Sequence, residues 1–149
     1  MTTKAQLHAH CLQLIDVRLE ELQTAIATVQ ESRNNETKSS AGDKYETGRA
    51  MMQQEEDKLL ARLDNTRQMR LQLTQLDLTL SSDRVELGSM VQTNARTYYL
   101  SVSLGKVVLE GKTYFCISPE APISQLLLGK AVDESIQING RKEQLQALH

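Results

Sequence analysis

The chain is expected to be an α+β protein in two parts. An antiparallel coiled helical hairpin over residues 1–80 is followed by a small antiparallel sheet domain with one short helix over residues 81–149. Three observations predict this. Apolar residues recur at steps of three and four in the first part and alternate in the second. Residues 1–80 contain one aromatic, Tyr45, and no proline, whereas 81–149 contain Tyr98, Tyr99, Tyr114, Phe115, both prolines and five of the seven glycines. A short polar stretch, "KSSAGDKYETGRAMM" at residues 38–52, divides the helical part in two.

In the first helix Leu7, Cys11, Leu14, Ile15, Leu22, Ile26 and Val29 keep helical spacing. In the second, Leu59, Leu63, Thr66, Met69, Leu73, Leu76 and Leu80 continue close to a coiled-coil seam. Each helix has one apolar stripe and a charged remainder, so each needs a partner in water. Folding back at the tip, near residues 38–46, brings Leu14 toward Arg70 and Leu22 toward Arg62. A helix of about 30 residues reaches roughly 45 Å, more than the stability of so small a chain requires.

After Asp83 the signals change to strands. "SMVQT", "TYYLSVS", "KVVLEGKTYFCIS" and "SIQINGRKEQLQAL" alternate apolar and polar residues, with Asn139-Gly140 a strong hairpin turn. Between them, "APISQLLLGK" reads as a short helix with Pro122 in its first turn and Gly129 at its C-terminal cap.

The 149 residues suffice for one domain or two small ones. A net charge of -2 argues against a general nucleic-acid binder. No signal-peptide core or bilayer-length apolar run is present, so a soluble cytoplasmic protein is expected. Cys11 and Cys116 stand in separate apolar patterns and are expected to be buried, reduced thiols. His8 and His10 are expected at the surface, because positions two apart on a helix point in different directions. No phosphate loop, Ser/His/Asp series or zinc spacing occurs, which argues against a free-standing enzyme.

The tip is the chemical question. Asp43 with Glu46 three residues later fits a capping box at the start of the second helix. The same first turn would hold two carboxylates together, and such a pair suits Mg²⁺ only as half a site, to be completed by another macromolecule. Around them, Arg33, Lys38, Lys44 and Arg49 outnumber Glu36, Asp43 and Glu46 by one charge. Lys38, Lys44 and Arg49 are candidates for contact with an RNA phosphate backbone, or simply balance a solvated loop.

Two motifs, in this order and at this separation, resemble the bacterial GreA/GreB transcript-cleavage factors across nearly the full chain. "GDKYE" is similar to the family's Gly-Asp-x-x-Glu, with Asp43 and Glu46 on its acidic positions. "ISPEAPISQLLLGK" is similar to its Ser-Pro-Ile…Leu-(Ile/Leu)-Gly-Lys segment, matched by Pro122, Ile123, Leu127, Leu128, Gly129 and Lys130. The resemblance implies an FKBP-like C-terminal domain that docks on RNA polymerase through Ser118, Glu120, Pro122 and Ile123. The hairpin would then enter the secondary channel. It implies that Asp43 and Glu46 help hold a Mg²⁺ supplied by the polymerase, so that the polymerase cleaves backtracked nascent RNA. The factor itself would be a monomer with no cofactor, no membrane partner and no enzymatic activity of its own.

Three residue patterns depart from the family. "TGRAMMQQE" follows Glu46, Gln54 stands at a usually basic position, and Ala121 replaces a Ser. These keep open a secondary-channel regulator that does not promote cleavage, and a coiled-coil adaptor unrelated to transcription.

Overall fold

The computed structural model describes residues 3–39 and 43–149, and the side chains of all of these except 36–39 and 43–45. Two long helices, α1 (Lys4–Ser39) and α2 (Asp43–Thr74), precede six strands and a short helix. The chain forms two compact units, Leu14–Arg70 and Met1–Gln13 with Leu71–His149. The first turns of α1 and the last of α2 thus belong to the sheet unit, although the sequence changes from helical to strand spacing near 81. Their side chains are the ones that sheet residues bury.

Helix α1 starts on a reciprocal cap. Thr3 Oγ1 accepts the Gln6 N–H at 3.1 Å, and Gln6 Oε1 accepts the Thr3 N–H at 2.8 Å. Within Leu14–Arg70 the helices run antiparallel. Arg70 donates to Asp16 at 2.6 Å, and Arg33 donates to Gln53 at 2.9 Å and Glu56 at 3.0 Å. The seam between them is narrow: Ile26, Leu59 and Leu63 are buried, with Leu19, Leu22, Ala25 and Val29 half-covering them. Leu14, expected in the stripe, is 37% exposed.

The expected helical pattern through Leu80 stops six residues early, at Thr74. Asp77 is the physical reason. Its carboxylate accepts the Thr79 N–H at 2.9 Å and the Thr79 hydroxyl at 2.6 Å, a local turn that competes with the helical ladder. Leu80 is left 63% exposed.

The sheet unit contains β1 (Met90–Thr93), β2 (Thr97–Leu100), β3 (Gly105–Leu109), β4 (Lys112–Ile117), β5 (Ser135–Ile138) and β6 (Arg141–Leu148), with α3 (Pro122–Leu127) between β4 and β5. The order is β3-β4-β2-β1-β6-β5. Every pairing is antiparallel except β2 with β4, which is parallel and sets Tyr98 opposite Phe115. Strand β3 takes the edge, so β4 returns between β3 and β2 in the direction of β2. Two hairpins close on left-handed residue pairs, Glu110-Gly111 (φ 51° and 77°) and Asn139-Gly140 (φ 50° and 76°). That geometry matches the strand twist and favours Gly at the second position.

Alternation along the strands gives the sheet two buried faces. Tyr98 and Leu100 point into one core with Val85, Val91, Leu127, Ile136 and Leu145, covered in part by Phe115, Ile117, Ile123 and Leu148. Tyr99 and Cys116 point the other way, where they meet His8 and Cys11 of α1.

Candidate functional site

At the tip, α2 begins at Asp43, the first acidic position of the motif. The side chains of Lys38, Asp43 and Lys44 lie outside the described residues. Glu46 stands exposed in the first turn of α2, and Arg49 is exposed one turn on. Further down the pair, Arg33 reaches from α1 to α2. Its Nη1 lies 3.0 Å from Glu56 Oε1, while the buried Glu56 Oε2 has no hydrogen-bond partner among the described residues. Gln53 completes this polar contact by donating to Asp57 at 3.0 Å. Among the described residues, no group of three or more His, Cys, Asp or Glu could hold a metal ion. Of the two motif carboxylates, Glu46 is the one whose side chain is described, and an exposed glutamate is a donor type that Mg²⁺ takes.

The second motif folds into a braced loop and the short helix it leads into. The Ser118 carbonyl accepts both the Ala121 N–H at 3.1 Å and the Ser124 hydroxyl at 2.6 Å. Gln125 Nε2 donates to the Pro119 carbonyl at 2.7 Å. Ser124, which anchors this arrangement, is fully buried, so the loop is held by the helix it precedes. Ser118 is half-buried, Glu120 exposed, and Pro122 exposed at the first position of α3. Ile123 is half-buried and packs on the core. Of the four expected docking residues, Glu120 and Pro122 therefore face solvent most fully, while Ile123 also supports the fold.

The helix ends as its sequence requires. Leu127 is buried, Gly129 takes φ 83°, and its N–H donates to the Val85 carbonyl at 2.8 Å. Beside the loop, Gln72, Leu76, Leu87 and Ser101 join Pro119 and Glu120 around a cleft of about 170 Å³. Sequence spacing carries no signal for that grouping, because it joins the end of α2 to three separate loops.

Three buried features are absent from the motifs. His8 was expected at the surface, but it is only 8% exposed. Its Nδ1 lies 2.7 Å from the Tyr99 hydroxyl, because the first turns of α1 are packed on the sheet. Burial, then the charge of Lys4, lowers the His8 pKa. Glu143 is 1% exposed on β6 and accepts the Thr93 hydroxyl at 2.7 Å and the Tyr98 hydroxyl at 3.0 Å. Burial and this carboxylate push the Tyr98 phenol up to about 12. The alternation of "RKEQLQAL" could have revealed Glu143, which occupies an inward position together with Leu145. Cys11 and Cys116 are buried free thiols, as their apolar settings suggested, and their sulfurs lie 3.5 Å apart. Among the described residues, no helix is long and apolar enough to cross a membrane.

No protein-family model and no curated protein matches this chain. Solved structures align with most of it. The structure of the transcription factor Gfh1 is 20% identical, over 93% of this chain and 92% of that one, with a TM-score of 0.37. GreA factor homolog 1 (Gfh1) of Thermus thermophilus is 20% identical, over 97% and 93%, with a TM-score of 0.36. Gfh1 of Thermus aquaticus is 22% identical, over 97% and 93%, with a TM-score of 0.33.

Proposed function

We propose that the protein is a Gre-like factor that binds bacterial RNA polymerase through its secondary channel and promotes cleavage of backtracked RNA. One observation carries this reading. Asp43 and Glu46 of the Gly-Asp-x-x-Glu motif lie in the first turn of the second helix of an antiparallel pair, and the Ser118-to-Lys130 motif forms a braced loop and helix in the sheet unit. Each motif occupies a local structure suited to its proposed task. Fold analogy alone would not assign a function.

In this mechanism the chain contributes positioning. The braced Ser118–Ile123 loop supplies a stiff docking surface, so little ordering is lost on binding. Asp43 and Glu46 belong to the first turn of α2, and their carboxylates would help hold a magnesium ion belonging to the polymerase. Such an ion stabilises the attacking and leaving oxygens of phosphoryl transfer. Lys38, Lys44 and Arg49 provide cationic contacts for the RNA backbone.

The test uses purified polymerase stalled in a backtracked complex. Shortening of the RNA on addition of the protein supports this function. Altered elongation without shortening favours a non-cleaving regulator, the second reading, which the residues after Glu46, Gln54 and Ala121 favour. Failure to bind polymerase at all excludes both and leaves the adaptor. Docking is tested by Ser118→Ala combined with Glu120→Ala. Polymerase affinity should fall about tenfold, equivalent to about 1.4 kcal/mol, with the thermal midpoint unchanged. Unchanged affinity moves the docking surface elsewhere.

A further inference from the structure

Among the described residues, reactive side chains from distant parts of the chain converge, away from both motifs, on the face of the sheet that carries Tyr99 and Cys116. Cys11 of α1 and Cys116 of β4 are both fully buried, and their sulfurs lie 3.5 Å apart. A disulfide needs about 2.05 Å, so bond formation requires a closure of roughly 1.5 Å. Cys116 also stands two residues before Ser118, at the end of the strand that feeds the docking loop.

We propose that Cys11 and Cys116 form a reversible disulfide under peroxide, a redox-controlled staple that ties the N-terminal turns of α1 to β4. Cys11 is the attacking sulfur. The hydrogen bond between the two thiols lowers its pKa, whereas the same bond and burial push the Cys116 thiol up. Cys11 also lies within the first turns of α1, whose local opening admits oxidant while β4 stays inside the sheet.

The Cys11 thiolate attacks one oxygen of hydrogen peroxide and breaks the O–O bond. The departing hydroxide takes up a proton and becomes water, leaving a sulfenic acid on Cys11. The Cys116 sulfur then attacks the Cys11 sulfur. The S–S bond forms as the S–O bond breaks, and the leaving hydroxide takes the Cys116 proton as a second water. Two thiols are oxidised and one peroxide is reduced. A dithiol reverses the reaction by exchange.

The experiment treats the purified, reduced full-length protein with hydrogen peroxide. Free thiols are counted after denaturation, and digested peptides are mapped. Both thiols should disappear together, with peptides containing Cys11 and Cys116 joined within one chain and both thiols regained after dithiothreitol. Amide exchange across residues 4–13 should slow in the oxidised protein, and its thermal midpoint should rise by roughly 5–15 °C. In Cys116→Ala, the same treatment should leave a sulfenic acid on Cys11 that dimedone traps. In Cys11→Ala, Cys116 should stay unreacted. Thiols that survive excess peroxide, or linkage only between chains, would overturn the proposal. Formation of the bond with no change in exchange or midpoint would overturn its role as a staple.

Discussion

The two compact units solve the burial problem at different scales. In Leu14–Arg70 one narrow seam, centred on Ile26, Leu59 and Leu63, holds the helices together, while Val17, Met51 and Leu60 remain 49%, 65% and 42% exposed. The sheet unit buries side chains on both faces, and it encloses a carboxylate satisfied by two hydroxyls. Long helices on a thin seam have little area to bury per residue, so their stability is local and lowest toward the ends. The sheet unit is cross-connected through non-neighbouring strands and should unfold as one. The difference teaches that chemistry at the tip can change with small effect on global stability, whereas the sheet core cannot.

The strongest test of this contrast is a pair of truncations. Leu145→Ala in the sheet core should cost about 4 kcal/mol, because neighbours on every side hold the cavity open. Leu63→Ala in the seam should cost about 2 kcal/mol, near the low end for leucine, because the half-exposed neighbours can collapse. Urea denaturation measures both, and equal costs would break the comparison.

At the tip the effect should fall on rate. Asp43→Ala with Glu46→Ala should reduce stimulated RNA cleavage at least a hundredfold, about 2.7 kcal/mol of transition-state stabilisation. Loss of a cap costs only about 1 kcal/mol of helix stability. Asp43→Asn separates the two roles, since asparagine caps well but carries no charge. Cleavage nearly as weak as in Ala assigns the carboxylate to the metal, and cleavage like that of the parent protein assigns it to the cap.

Glu143 sharpens the comparison from the other side. Glu143→Gln leaves one acceptor for the Thr93 and Tyr98 hydroxyls and turns a buried N–H₂ toward groups placed to donate. It should cost roughly 1–3 kcal/mol of stability without altering cleavage. A fall in cleavage at unchanged stability would move functional weight into the sheet unit.

The smallest effect concerns pH. The folded His8 pKa lies below its ordinary value, so near pH 6.5 the unfolded chain binds more protons. His8 therefore contributes full stability above about pH 6.5, and that contribution falls as the medium is acidified through the unfolded pKa. The thermal midpoint should drop between about pH 7.5 and 5.5, with a shallower drop in His8→Gln. Identical slopes would place the acid sensitivity elsewhere.

Most strands were legible because alternating burial is local and regular. "TYYLSVS" and "KVVLEGKTYFCIS" contain β2, β4 and all of β3 but Gly105, and Asn139-Gly140 closes the expected hairpin. The tip motif and the Pro122 segment were legible as motifs. The cleft beside Glu120 was not, since Gln72, Leu87 and Ser101 share no spacing. The surface expectation for His8 failed for a similar reason: helix periodicity gives a residue's face, not what covers that face.

By itself, the sequence determined the helical pair, the change to strands, the α3 boundaries and the two family-like motifs. Each of these depends on residues within a few positions of one another, where backbone preference and side-chain period act directly. The tertiary structure decided the parallel β2–β4 pairing, the grouping of Met1–Gln13 with the sheet, and the enclosure of Glu143. It also brought Cys11 within reach of Cys116. These features join positions tens of residues apart, and they arise only when strand order and two-sided packing bring those positions together.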